Sequence, residues 1–153
     1  MKRGFTLLEL VIVLGVITIV MGGIIVATRS NDNRDLYNAL VVLQSDLRYI
    51  QRRSMMEGRP HDILFERQYN RYHIRIVGGG IGNPSSTIRT VYLPNGVTVL
   101  TITPLGVNDR LAFTARGTSS HGFTVTLTNG RYLQDIRGNV GAGGTIIYPK
   151  RPR

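Results

Sequence analysis

The chain has 153 residues, a formal charge of +10 from 19 Lys and Arg against 9 Asp and Glu, and no cysteine. That length suits one modest core, and the missing thiols exclude disulfide scaffolds, thiolate metal sites and cysteine nucleophiles. Seventeen of the cations are arginine, a balance that fits an anionic partner (nucleic acid, anionic lipid or an acidic protein face) without choosing among them.

The first predicted element is apolar. After Met1, Lys2 and Arg3 the chain reads GFTLLELVIVLGVITIVMGG, and from Phe5 to Thr28 only Glu9 is ionisable. As a helix those 24 residues rise roughly 36 Å, enough to cross a hydrocarbon core of about 30 Å with a little tilt. A secretory signal peptide is the ordinary rival, but its apolar run is shorter and a small-residue cleavage site follows it; here no A-x-A pattern does. A buried core helix is the other. For a membrane helix, Lys2 and Arg3 keep the N-terminus cytoplasmic and place the residues after Thr28 outside. Glu9 is the anomaly, because an acid near the centre of such a helix costs about 2.5–3.5 kcal/mol and calls for a partner or a function. Near the helix end the cost falls, and headgroup water could satisfy it.

The run G-F-T-L-L-E-L behind a short basic leader resembles the type IV prepilin signature. The resemblance implies cleavage after Gly4 by a prepilin peptidase, N-methylation of the new N-terminus at Phe5, and an assembly role for Glu9. A cut there creates an ammonium at Phe5, and an amine and a carboxylate in low dielectric attract strongly while each alone is costly. In one helix they stand at i and i+4. Between staggered subunits, the Glu9 of one can face the Phe5 amine of its neighbour.

The helical period continues past the apolar run. Leu36, Leu40, Leu43, Leu47 and Ile50 recur at steps of four and three and draw one stripe, with Arg48 and Arg52 opposite. Gly58 suits a left-handed cap and Pro60 cannot continue a helix, so the element closes near Glu57. The expectation is an N-terminal helix of about 50 residues, roughly 75 Å long at 1.5 Å per residue, with helix propensity lowered at Gly15, Gly22 and Gly23 and a soft point at Asn31-Asp32-Asn33.

After Pro60 the period becomes two. RYHIRIV sets Tyr72, Ile74 and Ile76 against Arg71, His73 and Arg75, and GFTVTLTNG sets Phe123, Val125 and Leu127 against three threonines, as in half-buried antiparallel strands. Asn129-Gly130 and Asn95-Gly96 read as hairpin turns. With DILFE, TIRTVYL, VTVLTIT, RLAFTA, RYLQDI and TIIYP the pattern gives about eight short strands. The fold class expected is α+β, a long N-terminal helix with a transmembrane first half packed on an antiparallel β-sandwich-like head. Its parts are a leader at 1–4, a transmembrane and assembly helix at 5–28, an amphipathic continuation at 29–58 and a head at 59–153.

The order LQSDLRYIQRRSMMEGRP, strands, then LAFTARGTSSHGFTVTLTNGRYLQDI is similar to the GspH/FimT group of minor pseudopilins and minor pilins. That resemblance implies an H-type minor pseudopilin of a type II secretion system, a structural subunit of the filament that drives protein export. The alternative is a minor type IV pilin serving pilus assembly or DNA uptake. Either would be a single-pass inner-membrane protein with an extracytoplasmic head, later part of a periplasmic or surface filament. Its partners would be other pilins or pseudopilins, the prepilin peptidase/N-methyltransferase and an inner-membrane assembly platform.

No enzyme is read from these residues. His61, His73 and His121 lack a metal-ligand spacing, His73 reads as a solvated surface histidine, no nucleophile or phosphate-loop motif is present, and no cofactor is implied. A singly anchored domain that never polymerises is the competing class. Residues 29–153 carry 17 basic and 8 acidic side chains. Arg48, Arg52, Lys150, Arg151 and Arg153, with Arg53, Arg59, Arg67, Arg71 and Arg75 beside them, are candidates for an anion or DNA surface, to which Tyr69, Tyr72, Tyr132 and Tyr148 could add stacking faces. DNA is not favoured, because the tail GNVGAGGTIIYPKRPR lacks the Gly-Arg-x-Arg motif of the DNA-binding members of that group.

Overall fold

The computed structural model describes residues 7–78, 84–104, 109–119, 121–139 and 144–153, with side chains outside residues 20–32. They form two compact units, Met1–Arg34 and Asp35–Arg153. One helix, α1 at Leu7–Glu57, contributes to both, and it runs through Gly15 and through residues 31–33 without interruption. In the first unit the described side chains from residues 7–19 are all exposed, Leu7 at 82% and Ile19 at 77% among them. Among the described residues no helix is long and apolar enough to cross a membrane. The span expected from sequence extends to Thr28, through residues whose side chains lie outside that description.

In the second unit the same helix is amphipathic. Leu36, Leu40, Leu43, Leu47 and Ile50 are buried on one face, because residues three and four apart share a side of a 3.6-residue turn. Gly58 closes the helix at φ +59°, a conformation costly for any residue with a Cβ.

Nine strands follow: β1 His61–Glu66, β2 Arg71–Ile76, β3 Ser86–Tyr92, β4 Thr98–Thr103, β5 Arg110–Phe113, β6 Phe123–Thr128, β7 Tyr132–Gly138, β8 Thr145–Ile147 and β9 Arg151–Pro152. They make two antiparallel sheets, ordered β3-β2-β1-β5 and β4-β6-β7-β8, with β9 added to β7. Eight of the nine coincide with the alternating runs of the sequence; β9 is the addition. Both sheets and the helix stripe feed one core. Val125, Leu127 and Ile136 from the second sheet, Ile63, Tyr72 and Ile74 from the first and the five helix residues are among its most enclosed members. Phe113 and Phe123 meet edge to face across the sheets, ring centroids 6.3 Å apart. Gly117, at φ +72°, lets the β5–β6 connection lie on the helix: a Cβ there would stand 2.6 Å from Met55 Cγ and 3.1 Å from the Gln51 carbonyl oxygen.

Two expectations need correction. Asn129-Gly130 does turn the β6–β7 hairpin, but Asn95-Gly96 does not join paired strands. β3 pairs with β2 and β4 with β6, so that turn carries the chain from one sheet to the other. Turn chemistry sets local φ, and here Gly96 has φ +81°; which strands then pair is decided by burial and register. Second, Thr126 and Thr128 are buried rather than half exposed. Their hydroxyls donate to Asp135 Oδ1 at 2.8 Å and to the Tyr132 carbonyl at 2.9 Å, which satisfies them inside.

Candidate functional site

Gly4 and Phe5, the proposed processing pair, lie outside the described residues. Glu9 stands in the first turn of α1 and is exposed, flanked by the exposed Leu7, Leu8, Leu10 and Val11. A carboxylate near a helix N-terminus is favoured by the helix dipole. Among the described residues no group of three or more His, Asp or Glu side chains could hold a metal ion.

The charges of the head are the second feature. Each acid after Asp35 is engaged by a cation of the same chain. Asp62, fully buried on the outward face of β1, receives Arg75 Nε and Nη2 at 2.9 Å each and is also reached by Arg110. Glu66 takes Arg71 at 2.7 Å and His73 at 3.2 Å, and those two partners hold its carboxyl below the usual glutamate range. Asp109 takes Arg67 at 2.5 Å, and Arg67 also donates to the Leu100 carbonyl at the β4 irregularity. Glu57 takes Arg53 at 2.5 Å, Asp46 takes Arg89, and Asp135 takes Arg137 and Arg151 at 3.4 and 3.1 Å. The Tyr72 hydroxyl donates to Asp46 Oδ2 at 2.7 Å. Burial first, then that bond, pushes its phenol far above the usual tyrosine range and keeps it a donor.

Five of the arginines offered by sequence as an anion surface, Arg53, Arg67, Arg71, Arg75 and Arg151, are thus spent on internal ion pairs. Tyr72 is buried and offers no stacking face. Tyr69, Tyr132 and Tyr148 already carry Arg71, Lys150 and Arg137 over their rings at 4.8, 4.4 and 4.3 Å. Arg48 and Arg52 are exposed on α1 and form no ion pair among the described residues; Lys150 and Arg153 flank Arg151 at β9, on a different element. His73 is not a solvated surface residue. It is half-buried, its Nδ1 is 2.8 Å from Thr90 Oγ1, and its flanking arginines draw the acids in around it.

The Asp62 and Glu66 pairs were missed in the sequence, although a signal exists. Arg71 and Arg75 mirror Glu66 and Asp62 about the tight turn at Arg67–Tyr69, so antiparallel pairing sets each acid opposite a base.

The helix-on-sheet head and the N-terminal motif together define a type IV pilin-like fold. The model of the prokaryotic N-terminal methylation motif matches residues 1–25. The type IV minor pilin FimU of Pseudomonas aeruginosa superposes with a TM-score of 0.61 at 19% identity, over 76% of this chain and 90% of that one. A second crystal form of FimU gives 0.58 at 20%, over 74% and 93%. The minor pseudopilin EpsH from the type 2 secretion system of Vibrio cholerae gives 0.61 at 8%, over 74% and 96%. No curated protein sequence matches the chain.

Proposed function

We propose that the chain is a minor subunit of a pilin-type filament. It is anchored by residues 5–28, cut after Gly4, methylated at Phe5 and docked through Glu9. The observation that carries this reading is the placing of one carboxylate in the first turn of an otherwise apolar, exposed helix segment whose other end is built into a β head. An acid kept in hydrocarbon surroundings is tolerated when a neighbour's terminal ammonium neutralises it. The prepilin peptidase/N-methyltransferase and an inner-membrane assembly platform are the partners this route requires, and the role is structural rather than enzymatic.

The finer reading from the sequence pattern is an H-type minor pseudopilin of a type II secretion system; the EpsH-like head supports it. The second reading, a minor type IV pilin, is supported by the higher identity to FimU, 19% against 8% at the same TM-score. Deleting the gene separates them, by loss of protein export or by loss of pili. The common role is tested with Glu9→Ala and Glu9→Gln in cells that make the filament. Both variants should be processed and stay in the membrane fraction, yet be absent from sheared filaments. Incorporation at the wild-type level would refute the docking role.

A further inference from the structure

The acids of the head have a consequence for its cationic helix face. Asp46, Glu57, Asp62, Glu66, Asp109 and Asp135 are all held by cations of their own chain. On the side of α1 opposite its buried stripe, Tyr37, Val41, Arg48 and Arg52 follow at steps of four, seven and four and so line one exposed face. Tyr37 is 55% and Val41 40% exposed, and the two guanidiniums have no acid to meet among the described residues. Ser45 and Tyr49 border depressions on this face, one closed by Ile88 and Arg89 of β3.

We infer that this face docks an acidic amphipathic helix belonging to a different filament subunit. The inference rests on the filament reading above and names the partner's chemistry. A second copy of this chain laid face to face is the wrong occupant: it would set Arg48 and Arg52 against their own kind, and its acids from Asp46 onward are already engaged. Like charges brought together without compensation in a closing interface are strongly disfavoured. A nucleic-acid strand would satisfy the guanidiniums alone and leave Tyr37 and Val41 facing phosphate and water. A helix with Asp or Glu at i and i+4 beside Leu or Val covers both kinds of side chain, and its spacing matches the four-residue step from Arg48 to Arg52.

The test is site-specific photo-crosslinking in cells that assemble the filament, with a benzophenone amino acid replacing Val41 in the full-length chain. The expected product joins Val41 to a different subunit, and mass spectrometry should place the linkage in a helical peptide containing Asp or Glu. Arg48→Glu with Arg52→Glu should lower the yield about tenfold or more, whereas Arg48→Lys with Arg52→Lys should keep most of it. Both pairs are exposed and should leave the thermal melt of the purified chain unchanged, which removes misfolding as an explanation. A crosslink to a second copy, a crosslink to nucleic acid, a yield indifferent to charge reversal, or no crosslink in filaments that contain the chain would each overturn the inference. Cleavage after Gly4 and dependence on Glu9 are scored in the same cells, so failure here with those intact leaves the filament reading standing.

Discussion

Leu14 and Leu43 belong to the same helix, yet Leu14 is 56% exposed and Leu43 is fully buried. From residue 7 to residue 19 α1 presents hydrocarbon on every side, and from Leu36 on it presents hydrocarbon on one stripe and polar groups on the rest. A helix apolar all round needs a solvent that is itself apolar, either lipid or the helices of other chains, while a striped one is completed by its own domain. The difference shows where the striped half finds its free energy, in the head's own core, while the all-apolar half is the part that the filament proposal assigns to lipid and to neighbouring subunits. In the filament proposal, the one acid of the apolar run, Glu9, is the docking charge of that outer half.

The contrast can be broken first at the helix stripe. Leu43→Ala should destabilise the head by about 2–5 kcal/mol, the cost of lost burial plus an unfilled cavity. Urea denaturation of the full-length chain in detergent measures it, and a loss below about 0.5 kcal/mol, typical of surface sites, would mean the stripe is not the core. Next is Asp62→Ala, which leaves Arg75 and Arg110 without their buried acid. About 3 kcal/mol is expected, the low end for breaking a buried pair, since both guanidiniums still reach water.

A smaller effect is the response to acid. Because Arg71 and then His73 hold the Glu66 carboxyl below its ordinary range, its stabilisation is complete above the unfolded glutamate value and is lost as pH falls through the lower folded one. Melting temperatures measured from neutral pH downward should therefore fall less steeply for Glu66→Gln than for the wild type. Equal slopes would remove Glu66 from the acid response. The smallest effect belongs to Leu14→Ala, within about 0.5 kcal/mol for head unfolding; its cost should show only in filament incorporation.

Much of this was legible because the relevant signals are local. The stripe from Leu36 to Ile50, the Gly58 stop and eight of nine strands follow from periods of 3.6 and 2 and from turn residues. What escaped was long-range. The Asn95-Gly96 turn has hairpin chemistry but joins two sheets, since pairing partners are chosen by the shared core rather than by the turn. The arginines of β2 were read as a surface because alternation says which face a side chain takes, not what lies across from it. Pairing with β1 brought Asp62 and Glu66 to meet them. β9, two residues at the tail, has no period of its own and is held by β7. For the assembly motif the signal lies in the order of Gly4, Phe5 and Glu9.

The most direct measurement is the N-terminal residue of the mature protein, read by mass spectrometry on chain purified from membranes of cells that possess the processing peptidase. A first residue of N-methylated Phe5 is the expected result. A chain still beginning at Met1 would contradict the assembly role at its root, because the proposed docking contact uses the amine that cleavage creates at Phe5.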